Sequence, residues 1–115
     1  MSIQQQVSNL DALVAQGQII EAVSTFFADN VRTQDFDGTI TQTKDEMLNK
    51  MNGFLGAIQQ VNGITHHQTV SGDNVSFSEF TFDFDMQDGS KIFWHEILRR
   101  EWQDGKVISE QHFKN

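Results

Sequence analysis

Apolar residues recur every three or four positions through the first half of the chain and every second position through the rest, so helices come first and strands follow. Val7, Leu10, Leu13 and Val14 mark a first helix, Gly17 interrupts it, and Ile19, Ile20, Val23, Phe26 and Phe27 mark a second that ends at Asp29-Asn30. Val31 to Phe36 reads as a strand before an Asp37-Gly38 turn. Thr43 then caps a third helix, with Glu46 at the capping-box position three residues on. Met47, Leu48, Met51, Leu55 and Ile58 form its buried stripe, and Asn62-Gly63 closes it. Beyond that point Gly72-Asp73-Asn74, Asp88-Gly89 and Asp104-Gly105 separate four alternating segments, which predicts consecutive antiparallel hairpins. Three helices packed on a mainly antiparallel sheet place the chain in the α+β class.

Two-residue turns at Asp88-Gly89 and Asp104-Gly105 would set the strand register by counting outward. Phe84 then pairs with Phe93, Phe82 with His95, Phe80 with Ile97, Arg99 with Glu110 and Ile97 with His112. Phe80, Phe82, Phe84, Phe93, His95, Ile97, Arg99, Glu110 and His112 are therefore expected on one face, towards the helices. Trp94, Glu96, Leu98, Arg100, Trp102 and Phe113 are expected on the other, and a bulge at either turn would exchange strands between the two sets. An outer face so rich in aromatic residues predicts a homodimer through Trp94, Leu98 and Trp102.

Composition narrows the possible partners. The 115 residues suit one domain, taken as residues 1–115, and ten Phe supply the bulk for its core. A net charge of −8 repels a phosphate backbone and leaves nucleic acid and anionic membranes without a basic surface to bind. The absence of Cys removes thiolate chemistry and Cys-based metal centres. The N-terminus lacks the basic and apolar regions of a signal peptide, no apolar run reaches membrane-spanning length, and a cytoplasmic location is expected.

Phe-Ala-Asp-Asn-Val at Phe27 to Val31 leading into a strand, and Glu-Trp-Gln-Asp-Gly-Lys-Val-Ile at Glu101 to Ile108, together with the element order, resemble the SnoaL-like branch of the NTF2-like superfamily. The resemblance covers nearly the whole chain. It implies a cone-shaped roll, in which three N-terminal helices pack on a curved sheet around a pocket, and dimerisation through the convex side of that sheet. It also implies acids and bases on the first strand and the last two, which matches Asp35, Glu110 and His112. The chain has no Tyr, so the tyrosine oxyanion donor of a ketosteroid-isomerase-type site has no counterpart.

A histidine beside a carboxylate transfers protons near neutral pH, which makes His112 with Glu110 a candidate pair, Arg99 its orienting cation and His95 and Asp35 further candidates. Phe80, Phe82, Phe84, Phe93 and Ile97 would line the apolar part of the pocket. The same polar residues also fit an ordinary cross-strand ion pair beside a half-buried histidine, and Asp35 fits turn chemistry. His66-His67 is a poor metal site because neighbours on a strand point to opposite faces, and Asp83 and Asp85 lack the loop spacing of calcium ligands. No metal or cofactor is expected. Two functions stay open: a cofactor-independent enzyme performing proton transfer on a small hydrophobic substrate, of the isomerase, cyclase, dehydratase or hydrolase kind, or a non-catalytic ligand-binding or dimeric association domain.

Overall fold

A computed structural model describes residues 2–114. The chain runs α1 (Ile3–Ala15), α2 (Ile19–Phe26), β1 (Phe27–Gln34), β2 (Ile40–Gln42), α3 (Lys44–Gly56), β3 (Ile58–Ser71), β4 (Val75–Met86), β5 (Lys91–Gln103) and β6 (Lys106–Lys114). One six-stranded sheet has the order β2-β1-β6-β5-β4-β3, antiparallel except where β1 lies parallel to β6. Helix α1 lies over β3 and β4, α3 lies over β1, β2 and β3, and the helices enclose the inner face of the sheet.

Local chemistry accounts for the helix ends. Ser2 caps α1 by accepting from the Gln5 N–H, and Thr43 caps α3 by accepting from the Glu46 N–H at 3.2 Å, as the capping pattern predicts. Helix α3 stops at Gly56, earlier than Asn62-Gly63, which lies inside β3 at one of its register shifts. Helix α2 likewise gives way to β1 at Phe27, before Asp29-Asn30. Both Phe27 (3% exposed) and Val31 (fully buried) are held in the core as strand residues. In each case strand pairing, Ile58 opposite Met86 and Phe27 opposite Val107, outweighs a local stop signal.

The two hairpins that decide register differ from each other. Asp104 (φ 53°) and Gly105 (φ 78°) both have positive φ, the two-residue turn expected, with Gln103 opposite Lys106. The Asp88-Gly89 hairpin instead has a three-residue loop. Gly89 N–H donates to Met86 O, Met86 N–H donates to Ser90 O, and only Gly89 (φ 88°) has positive φ. Asp88 Oδ1 accepts from both the N–H and the hydroxyl of Ser90, which draws Ser90 into the turn. Phe84 therefore faces Ile92, Phe82 faces Trp94 and Phe80 faces Glu96. Gly89→Ala is expected to cost about 1 kcal/mol in a urea unfolding experiment. The added Cβ meets nothing within 4 Å, so that loss would come from the backbone conformation alone.

A second shift lies in β6, where Trp102 faces Val107 but Glu101 faces Ser109, leaving Ile108 as the extra residue of a bulge. The two one-residue shifts cancel by the end of β6. Glu110 and His112 thus return to the face that carries Phe80, Phe82 and Phe84, while β5 between them is inverted relative to the two-residue count.

The inversion corrects the expected dimer surface. Leu98 (3% exposed) and Trp102 (4% exposed) are core residues, and Trp94 packs against Phe36 and Phe54 under the helices. Trp102 donates its indole N–H to the buried Ser76 hydroxyl at 2.9 Å and meets Phe26 edge-on. A face already covered by the chain's own helices leaves nothing for a second copy to bury.

Candidate functional site

Between the helices and the inner face of the sheet lies a cavity of about 350 Å³. Its walls are apolar: Leu10 and Val14 of α1, Val23 of α2, Met47, Met51 and Phe54 of α3, and Phe82, Phe84, Trp94 and Leu98 of the sheet. This volume falls within the range of small-molecule sites, and such sites combine apolar walls with a few convergent polar groups. Here the polar groups are Glu96, Arg100, Glu110 and His112 at one end, with Asp35, Asp37 and Lys50 also on the lining.

The polar end is a continuous network of charges. Arg100, 1% exposed, donates through Nε to Glu110 Oε2 at 2.8 Å and through Nη1 to Asp11 Oδ1 at 2.7 Å. Asp11, wholly buried on α1, also accepts from the hydroxyls of Ser78 and Thr69 at 2.7 and 2.6 Å. Glu110 Oε1 lies 2.8 Å from His112 Nε2, and His112 Nδ1 lies 3.0 Å from Glu96 Oε1. Burial opposes the charge on His112, but Glu110 and Glu96 outweigh it and raise its pKa to about 10. Burial also opposes the charge on Glu110, yet His112 and Arg100 lower its pKa to about 2. For Arg100 burial is likewise opposed by Glu110 and Asp11, which raise its pKa. At neutral pH the network holds three carboxylates against a guanidinium and an imidazolium whose two ring nitrogens both serve as donors.

Glu96 is the exception in its hydrogen bonding. The residue is 3% exposed, and its one hydrogen bond to a described side chain uses Oε1. Its other oxygen, Oε2, has no hydrogen-bond partner among the described residues, and Glu96 is one of the residues that line the cavity.

The residues singled out from sequence divide between the two faces of the sheet. Phe80, Phe82 and Phe84 are buried on the inner face, and Glu110 and His112 join them at the polar end. Phe93, His95, Ile97 and Arg99 are corrected to the outer face by the three-residue hairpin loop. Phe93 is 70% exposed, His95 pairs with Glu79 at 2.5 Å, Ile97 lies opposite Glu79 and Phe113, and Arg99 pairs with Glu101 at 2.7 Å. None of these four lines the cavity. Asp35 lines it, bound by Lys50 Nζ at 2.7 Å. His66 stacks on Phe80 and reaches Thr69, whereas His67 bonds to Thr81 and meets His95, so the two adjacent histidines lie on opposite faces.

Trp94, Glu96, Leu98 and Arg100 take the inward positions of β5, and Asp11 completes the network from α1. Asp11 carried a legible signal, because it interrupts the apolar stripe of Val7, Leu10 and Val14 with an acid that a packed helix face tolerates only when paired. Glu96 and Arg100 carried none beyond the register itself.

No family model matches the sequence, and no curated protein is significantly similar to it. Solved structures are similar in fold. A SnoaL-like protein of Mesorhizobium loti, described as a candidate polyketide cyclase, superposes with a TM-score of 0.88 at 18% identity, over 98% of this chain and 99% of its own. An NTF2-like protein of unknown function from Burkholderia pseudomallei gives 0.80 at 11% identity, over 97% of this chain and 89% of its own. One from Cytophaga hutchinsonii gives 0.75 at 10% identity, over 99% of this chain and all (100%) of its own. The fold is that of the SnoaL-like proteins of the NTF2-like superfamily.

Proposed function

We propose that the chain binds a small hydrophobic molecule in this cavity and accepts a proton from it on Glu96, in cofactor-independent chemistry of the isomerase, cyclase, dehydratase or hydrolase kind. The observation that carries this reading is a carboxylate, Glu96, 3% exposed and on the lining of an otherwise apolar cavity, whose Oε2 has no hydrogen-bond partner among the described residues. A general base must have a free lone pair directed at the ligand, and burial keeps water from competing for it. His112 acts as a positioning residue. Both of its ring nitrogens are engaged by carboxylates, so it fixes the rotamer of Glu96 and holds a compensating positive charge beside it. Arg100 and Glu110 hold His112 in turn, and Asp35 with Lys50 forms a polar part of the lining.

The test uses small hydrophobic ketones in deuterated buffer, following ligand-induced shifts of the Trp94 and His112 ring resonances and deuterium uptake at the carbon next to the carbonyl. Binding with uptake that falls at least about 100-fold in Glu96→Gln supports the proposal. Binding without catalysed uptake would assign the cavity to a ligand-binding domain, and no binding would remove the pocket reading altogether.

A further inference from the structure

We infer that the molecule this cavity selects carries an amine, bound as its ammonium ion against Glu96, and that carboxylates of the same shape are rejected. The inference rests on the cavity being the ligand site and names the chemical class of that ligand.

Charge balance is the first ground. The titratable side chains on the lining are four carboxylates, Asp35, Asp37, Glu96 and Glu110, against three cations, Lys50, Arg100 and His112. Asp11 stands behind them as a fourth partner for the cations and a fifth negative charge. Each cation already faces its own carboxylate: Lys50 binds Asp35, Arg100 binds Asp11 and Glu110, and His112 lies between Glu110 and Glu96. The excess is negative, and the whole chain carries −8, so the field at the cavity favours an entering cation.

Hydrogen bonding is the second ground and is independent of the charge count. Glu96 Oε2 is an acceptor with no donor among the described residues, in a residue only 3% exposed. An N–H donor meets that need, whereas a second carboxylate at the same place brings like charges together in a site with little water to screen them.

The walls are the third ground. Trp94 precedes Glu96 by two residues on the inner face of β5, about 6–7 Å along the strand. Trp94 is packed edge-on by Phe36 at 5.0 Å and stacked by Phe54 at 6.1 Å, and all three rings line the cavity. Aromatic rings beside a carboxylate stabilise an alkylammonium group that an apolar wall alone would desolvate at a loss.

Three probes of one shape separate the possibilities: benzylamine, benzyl alcohol and benzoate, titrated at pH 7 by calorimetry and by shifts of the Trp94 indole resonance. The expected order is benzylamine first, by about 10-fold or more over benzyl alcohol, with benzoate weakest. In Glu96→Gln, an isosteric change checked for folding by circular dichroism, the preference for the amine over benzyl alcohol should fall to within about 3-fold. Trp94→Leu should weaken the amine more than the alcohol, a comparison that stands even if Glu96→Gln fails to fold. Benzyl alcohol binding with no preference for the amine, or benzoate binding as well as the amine, overturns the inference and leaves the pocket in place. Failure of all three probes to bind overturns both.

Discussion

Replacing Arg100 by Met is expected to remove about 3–5 kcal/mol of folding stability, because it leaves the carboxylates of Asp11 and Glu110 buried without their shared cation. Asp11 is wholly buried and Glu110 is 4% exposed, so water cannot substitute for the guanidinium. A domain of this size has only about 5–15 kcal/mol in total, and the melting temperature should fall by roughly 10–20 °C. Arg100→Lys should rescue little of this, since one ammonium does not reproduce the separate Nε and Nη1 bonds to Glu110 and Asp11. Asp11→Leu with Arg100→Met and Glu110→Leu, which removes all three charges together, should recover most of the loss. Urea unfolding of the three variants checks this, and a loss below about 1 kcal/mol for Arg100→Met would mean that the network is not closed as described.

The second large effect is on the dependence of stability on pH. His112 has a folded pKa of about 10 against an ordinary 6.5. Its protonation therefore favours the folded state, a contribution complete below about pH 6.5 and lost as pH rises towards 10. Glu110 has the opposite sign: its folded pKa of about 2 against an ordinary 4.5 gives a contribution present above pH 4.5 and lost as pH falls towards 2. Together they place the plateau between about pH 4.5 and 6.5 and predict a fall on the order of 2–4 kcal/mol between pH 6 and 9.5. In His112→Gln the stability at pH 6 should be lower and that alkaline slope should largely disappear. Chemical unfolding at the two pH values in both proteins measures it, and an unchanged slope in the variant would assign the fall to other groups.

How much of this was legible in the sequence differs from element to element. The apolar stripe of α1, that of α2 as far as Phe26, the Thr43 cap with Glu46 and the type of the Asp104-Gly105 turn follow from interactions within a few residues, and each is found where the pattern puts it. Short range also explains the failures. Asp88-Gly89 has the composition of a two-residue turn, but Met86 pairs with Ser90 and Gln87 joins the loop, and that one residue inverts every side chain of β5. His95 and Arg99 thereby moved to the outer face, and Glu96 and Arg100 took their places.

Glu110 and His112 reached the inner face through two shifts that cancel, so their placement agrees with the two-residue count although the intermediate pairing does not. The position of Ile108 as a bulge depends on how β5 and β6 meet the rest of the sheet, which no local residue pattern specifies.

The sequence by itself determined the order of the three helices and of five of the six strands, β2 (Ile40–Gln42) being the one it missed, together with the α+β class, the negative charge and the exclusion of thiol chemistry, because periodicity, turn residues and composition are properties of the chain taken locally. Only the tertiary structure decided which face of β5 meets the helices, that Asp11 of α1 closes onto Arg100, and that Glu96 lines the cavity with one oxygen bonded to His112. Those facts depend on residues up to 89 positions apart meeting at hydrogen-bonding distance, and on a strand register in which a single residue changes the chemistry of the site.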